Sequence, residues 1–400
     1  MKILYLTPAF QHPIVRGPTR CYHFTKELCN RHEITMMTLI RSEIPNDAFV
    51  EMKSYLKKIY TFNAMGESTN GSNGNGIAKK VKTTFTVSNA VKGMQTAFLD
   101  LVKRESFDVV LFHGKSIYPV IEDFDDLPVV IDFCDATSMR IKDRMKFDSL
   151  TKRLMLSRRY KNFRQIEQKM INKTPHVAFI SCRDRDANME NREGIRIVPI
   201  GVDLDVWKRR SDKPQKNTLV FTGVMNYRPN EDAAHYLIDK ILPLVRPQVP
   251  DLEVLIVGRD PTSSLVEKGS QNPDITVTGF VDDVRDYLER ATIFVAPVRY
   301  ASGIQNKVLE AFAMEMPVIC TSIVAQGLQF DDAEDTPVHI ADDPKPFAEK
   351  IINLLNDRQE QKRLATEGRK FVERHFIWSK NAEILEQMCL DAVAEKAITQ

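Results

Sequence analysis

The stretch that most constrains the fold runs from Pro297 to Thr321, PVRYASGIQNKVLEAFAMEMPVICT, and reads as a strand end, a glycine turn, a helix and a second strand. The turn is Ala301-Ser302-Gly303. From Ile304 the sequence becomes helical through Leu309, Ala311, Phe312 and Ala313, until Pro317 stops it and opens the β-rich Val318-Ile319-Cys320. A helix start presents unpaired N–H groups and a partial positive charge, so it suits a diphosphate. Gly303, Lys307 and Glu310 lie at spacings of four and three and share one helix face. They offer a cation for phosphate and a carboxylate for hydroxyls, the composition of a sugar-nucleotide site. On spacing alone, the same Lys and Glu are equally the solvated face of an amphipathic helix.

The stretch resembles the donor-site signature of the retaining glycosyltransferases of family 4, which have the GT-B fold. In that family a Glu opens the glycine loop, and a second Glu follows eight positions later, ahead of small residues and a Pro-led strand. Glu310 matches the second glutamate, which in the family holds the ribose hydroxyls of the nucleotide. Ser302 stands where the first would be, and Glu315 where a Gly usually precedes the Pro. The resemblance implies Ser302, Gly303, Ile304, Lys307 and Glu310 as donor-binding residues, with Lys307 also catalytic.

At 400 residues and 43% hydrophobic content, the chain is long enough for two ordinary domains. With 56 basic against 54 acidic residues and a net charge of +2, nothing draws it as a whole toward nucleic acid, and none is expected as a partner. Cys21, Cys29, Cys134, Cys182, Cys320 and Cys389 are scattered without a C-x-x-C pair, which fits a reducing cytoplasm. Met1 leads straight into a strand, so no signal peptide is expected. No apolar run approaches the roughly 18 residues of a membrane span.

Lys2–Thr7 reads as a buried strand, followed by a loop and a helix from about Thr19 to Asn30. Strands recur at 32–39, 58–62, 109–112, 129–133, 176–181 and 196–200 with helical patterns between them, the rhythm of a doubly wound parallel sheet. No G-x-G-x-x-G follows the first strand, which argues against a dinucleotide dehydrogenase. The Gly/Ser/Asn tract from Asn63 to Lys79 has little to bury and is expected to be mobile, as a surface insertion or a flap. From Arg140 to Lys173, twelve Lys and Arg face only Asp143, Asp148 and Glu167, interleaved with apolar residues. This amphipathic region is either an ordinary solvated helix or one that rests on an anionic membrane surface, for peripheral attachment to the inner face of the membrane.

Val198-Pro199-Ile200-Gly201-Val202-Asp203 resembles the family's Pro-x-Gly-Val-Asp element at the end of the N-terminal domain. A second series of strands follows at 218–223, 253–257, 275–278, 292–296 and 317–321. The expected organisation is two doubly wound Rossmann-like domains of the GT-B fold facing a cleft: an acceptor-side domain over 1–200, a linker over 201–217 and a nucleotide-sugar domain over 218–377. By resemblance, a final helix over 378–400 packs back on the first domain.

Ligands of such sheets sit beyond the carboxyl ends of strands. After the strand ending at Gly223, itself a donor-binding candidate, comes Met225-Asn226-Tyr227-Arg228-Pro229-Asn230, where Asn230 is read as a helix cap. Arg228 and Arg299 are candidate phosphate ligands or plain surface arginines. Gly279-Phe280-Val281-Asp282-Asp283 resembles the family's base-receiving segment, with core packing the alternative for Phe280. The resemblance also places Gly17 at the donor phosphates and His113 at the donor sugar, so the catalytic candidates are Lys307, Arg228 and His113. Asp135 is a weaker acceptor-side candidate.

The triplets Asp123-Phe124-Asp125, Asp184-Arg185-Asp186 and Asp203-Leu204-Asp205 arise readily in a charged chain, and there is no H-x-x-x-H. No metal and no cofactor is expected. The family analogy implies retaining transfer of a hexose from a nucleotide diphosphate sugar to a saccharide or lipid-linked acceptor in surface polysaccharide or glycoconjugate assembly. A sugar-nucleotide epimerase and a noncatalytic sugar-nucleotide-binding protein remain as alternatives on the same fold.

Overall fold

The computed structural model describes residues 1–15, 19–65, 76–187, 195–210, 215–330 and 336–399. Its first seven strands are β1 (Lys2–Thr7), β2 (Glu33–Ile40), β3 (Lys58–Asn63), β4 (Val109–His113), β5 (Val129–Cys134), β6 (Val177–Phe179) and β7 (Arg196–Ile197). The next six are β8 (Thr218–Thr222), β9 (Glu253–Val257), β10 (Ile275–Val277), β11 (Ile293–Ala296), β12 (Val318–Cys320) and β13 (His339–Ile340). They form two sheets, ordered β3-β2-β1-β4-β5-β6-β7 and β10-β9-β8-β11-β12-β13. Strand pairing is parallel throughout, for example Tyr5 against Met36 and Leu111, and Phe294 against Val220 and Val318. The order reverses between β1 and β4 and again between β8 and β11. These are the two switch points at which doubly wound sheets open a crevice.

Both sheets are covered on both faces, which is why their strands read as unbroken apolar runs. Within β1, Ile3 and Tyr5 enter one cluster while Leu4 and Leu6 enter another on the opposite face, as a side-chain period of two requires. The first of these clusters runs on into the core of the second domain and into the helix Trp378–Thr399. That helix returns to the first domain. Trp378 stacks on His23 at 4.2 Å, and Glu386 accepts from both Arg31 and His32. Gly201 marks the crossing, since a Cβ there would lie 2.5 Å from the Trp378 indole and 2.6 Å from its backbone nitrogen.

Several elements differ from their sequence reading. The basic region is two helices, Thr137–Met145 and Leu150–Lys173, separated by a short turn. β13 adds an edge strand of two residues that carries too little pattern to stand out. The tract from Asn63 to Lys79 ends β3 and enters a helix at Gly76, and its centre, 66–75, lies outside the described residues. Residues 211–214 of the linker lie outside them too.

Candidate functional site

The crevice of the second sheet is built by glycines at strand ends. Gly223 follows β8 and Gly258 follows β9, and the two backbones lie so close that a Cβ on Gly258 would fall 1.7 Å from the Gly223 carbonyl oxygen. A Cβ on Gly223 would in turn meet the Asn230 amide at 2.5 Å and Lys307 Nζ at 3.3 Å. Gly223, Asn230 and Lys307 therefore converge on one point. Lys307 comes from the helix Asn306–Ala313, donates to Asn230 Oδ1, and lies 4.7 Å from the centroid of the Phe221 ring on β8. Burial lowers its pKa to about 7, with Glu310 opposing the shift. Burial likewise pushes Glu310 up to about 7 against the pull of Lys307. The Glu310 carboxylate makes no hydrogen bond or ion pair with any described residue. Lysine and glutamate are thus neighbours on one half-buried helix face, each held away from its ordinary charge preference by desolvation.

Across the cleft, the first domain grips the glycine turn. Ser302 Oγ donates to Asp135 Oδ2 at 2.6 Å, the Gly303 N–H donates to both Asp184 oxygens at 3.1 and 3.2 Å, and Arg183 donates to the Ala301 carbonyl at 2.8 Å. Arg140 donates to the Tyr227 hydroxyl at 2.7 Å. Asp184 is fully buried and also accepts from the Ala136 N–H and the Ser181 hydroxyl. Burial raises its pKa. Burial opposes charge on Asp135 as well, but Lys115 and Arg140 hold it down at about 2.

The sequence-predicted residues separate on this frame. Glu310, Lys307 and Gly223 come together. The helix opens at Asn306 rather than Ile304, and the Gly303 N–H is committed to Asp184, so this amide is not a free helix-start donor. Ile304 is buried, 8% exposed. Asn230 is not the cap of its helix, Arg228–Tyr236, which Tyr227 precedes; it serves as acceptor for Lys307 and donor to the Val224 carbonyl. Arg228 pairs with Glu231 at 2.9 Å on the rim of a pocket between the domains that Arg144, Asp148 and Tyr300 also line. Arg299 is bound by both oxygens of Asp232 and sandwiched at 4.8 Å between Phe147 and Tyr236, which commits its fork to a carboxylate rather than to a phosphate.

Phe280 is not a core residue. It stands 67% exposed past the end of β10, while its neighbour Val281 packs against the core. His113 ends β4 with its Nδ1 2.9 Å from Asp132, which also takes a bidentate pair of 2.8 Å bonds from Arg20. Burial opposes the imidazolium, yet Cys21 and Asp132 push His113 up to about 10. Gly17 lies outside the described residues.

Sequence reading missed Asp184 as a partner of the glycine turn. The available signal was Ser181-x-x-Asp184, a capping spacing, and the Asp184 N–H does donate to Ser181 Oγ at 3.2 Å. Among the described residues no group of three His, Cys, Asp or Glu is placed to hold a metal ion.

Residues 216–357, which carry Gly223, Asn230, Lys307 and Glu310, match the family described as glycosyl transferases group 1. This part of the chain is a glycosyl transferases group 1 domain. Over 143 residues, 34% of this chain and 37% of its relative, the sequence is 29% identical to the capsular polysaccharide biosynthesis glycosyltransferase CapM of Staphylococcus aureus. The chain spans about a third of the length of the curated relatives it matches. Among solved structures, sucrose-phosphate synthase of Thermosynechococcus elongatus superposes with a TM-score of 0.72 at 18% identity, covering 98% of this chain and 99% of that one. Anabaena HepE in complex with UDP-glucose superposes at 0.62 and 12% identity over 100% of both chains. The group 1 domain and the domain before it together have the GT-B fold.

Proposed function

We propose that the chain is a retaining glycosyltransferase that moves a hexose from a nucleotide diphosphate sugar to a saccharide or lipid-linked acceptor, in cytoplasmic assembly of a surface polysaccharide or glycoconjugate. The observation that carries this reading is the convergence of Lys307, Asn230 and Gly223 at the switch point of the group 1 domain, with Glu310, whose carboxylate bonds to no described residue, one turn along the same face. Support also comes from the capsular role in the name of CapM and from the UDP-glucose held by HepE.

In this reading the donor diphosphate lies against Lys307 and the Gly223 turn, and the ribose hydroxyls donate to Glu310. Exposed Phe280 offers a face to the base beyond β10. As the bond from the anomeric carbon to the diphosphate breaks, negative charge grows on the leaving oxygen. Lys307 meets that charge in a half-buried setting where water competes poorly. Arg228, largely exposed on the rim of the pocket between the domains and paired with Glu231, is the second cation of this reading. The reading uses neither a metal ion nor a cofactor.

The test is a thermal-shift screen of nucleotide sugars followed by an assay of nucleoside diphosphate release. A ligand at 100 times its Kd stabilises the fold by about 2.7 kcal/mol, so a true donor raises Tm, and diphosphate appears only when acceptor is added. Release of diphosphate without acceptor, or no shift with any nucleotide sugar, contradicts the proposal.

A further inference from the structure

The helix Leu150–Lys173 begins with its apolar side chains turned to solvent. Leu150 is 80% exposed, Leu154 78% and Met155 71%. Positions 150 and 154 are one turn apart and 155 lies about 100° further round, so all three fall on the half of the helix away from its buried residues and together form a prominence. The residues that this helix buries, Leu156, Glu167, Met170 and Ile171, belong mostly to its far half.

Around the prominence, Lys152, Arg153, Arg158, Arg159 and Lys161 are exposed, and their side chains make no hydrogen bond or ion pair with a described residue. The one acid of the helix, Glu167, is buried. A soluble fold gains nothing from three large apolar side chains set in unneutralised positive charge, whereas an interfacial helix uses both: apolar residues enter the acyl boundary while cations meet lipid phosphates.

We propose that this end of the helix docks on an anionic bilayer, with Leu150, Leu154 and Met155 inserted below the headgroups. Charge complementarity selects an anionic lipid surface, and the apolar trio selects lipid over nucleic acid, which would leave three aliphatic side chains without a partner. Among the described residues no helix is long and apolar enough to cross a membrane, so the contact is peripheral. Phe147, just ahead of the helix, stacks on Tyr300 of the second domain at 5.8 Å. Lys152 lines the pocket between the domains together with Arg144 and Arg228. Docking therefore brings the mouth of that pocket to the lipid surface, where a lipid-linked molecule would arrive. The docking itself does not depend on the donor-site reading.

The test uses the full chain and phosphatidylcholine vesicles with and without phosphatidylglycerol. The protein is expected to float only with the anionic vesicles at low salt, and to be released at 1 M salt, where charges are screened over about 3 Å. Leu154→Trp should gain a blue-shifted emission component that brominated acyl chains quench. Leu150→Ser/Leu154→Ser/Met155→Ser should lower the partition coefficient at least tenfold with unchanged Tm. No flotation at low salt overturns the proposal, as does flotation of Leu154→Trp without quenching of the introduced indole, since that contact would be electrostatic only. If the triple variant fails to fold, the quenching result decides alone. Release of the protein from vesicles by RNA, with no quenching at position 154, would instead assign the surface to nucleic acid.

Discussion

Lys307 carries two opposed demands: burial lowers its pKa to about 7, and in the proposed function a diphosphate needs its proton. A bound diphosphate favours the ammonium and raises its pKa above the value of about 7 in the free protein. At pH 8 donor binding should therefore take up a proton, seen as a dependence of calorimetric enthalpy on the ionisation enthalpy of the buffer; Lys307→Met should abolish it. The same depression has a sign for stability. Between pH 7 and the ordinary lysine range the unfolded chain holds a proton that the folded chain lacks, so this site's contribution to stability rises with pH across that window. Lys307→Ala should lower turnover by about 10²-fold to 10³-fold with a smaller effect on donor binding, measured by steady-state diphosphate release. Lys307→Arg should rescue only in part, because a planar fork differs in reach from an ammonium. Glu310→Gln should weaken nucleotide binding by roughly 1.5 to 3 kcal/mol, the range of hydrogen bonds to a charged group, while its unfolding midpoint in urea stays in place.

At the scale of elements, the turn Ala301-Ser302-Gly303 is held from the other domain rather than by its own helix. Its hydroxyl, its N–H and a carbonyl each bond to a first-domain side chain. Each such bond has a charged partner and is worth about 1.5 to 3 kcal/mol net. A double-mutant cycle with Ser302→Ala and Asp135→Ala should return a coupling of that order, read from urea unfolding of the four proteins. A coupling indistinguishable from zero would mean that the turn keeps its shape without the clasp. The crossing of the final helix is held differently, by shape: the bare Gly201 backbone lies against both the ring and the backbone of Trp378, where a side chain has no room.

Over the whole molecule, two doubly wound sheets face one another, and two of the ties between them differ in kind. One tie is the clasp on the glycine turn, and the other is the helix Trp378–Thr399 that returns to the first domain. The helix contact is largely apolar and covers Ala382, Leu385, Met388 and Cys389, whereas the clasp is a small set of polar bonds. The clasp is the weaker of the two and should open first. Asp184→Ala combined with Ser302→Ala should raise the radius of gyration in small-angle scattering at unchanged circular dichroism, and donor binding should reverse part of the increase.

Much of the fold was legible in the chain because its signals are local. Apolar runs such as KILYLT and VVLFH carry the mark of strands buried on both faces, and β13 escaped notice because two residues carry no pattern. The placing of Lys307 and Glu310 side by side was legible for the same reason, since helical spacing alone puts them on one face. What the sequence could not decide is which distant group each site residue meets. Arg299 looked like a free fork beside the turn until Asp232, 67 residues away, closed on it. Gly303 looked like an open donor until Asp184, 119 residues away, accepted its hydrogen. Phe280 is as apolar as any core residue, and yet it stands in solvent. Local sequence governs backbone preference and the periodicity of burial, whereas the partner of a polar group is settled by which elements the packing of two sheets brings face to face, and no window of the chain contains that.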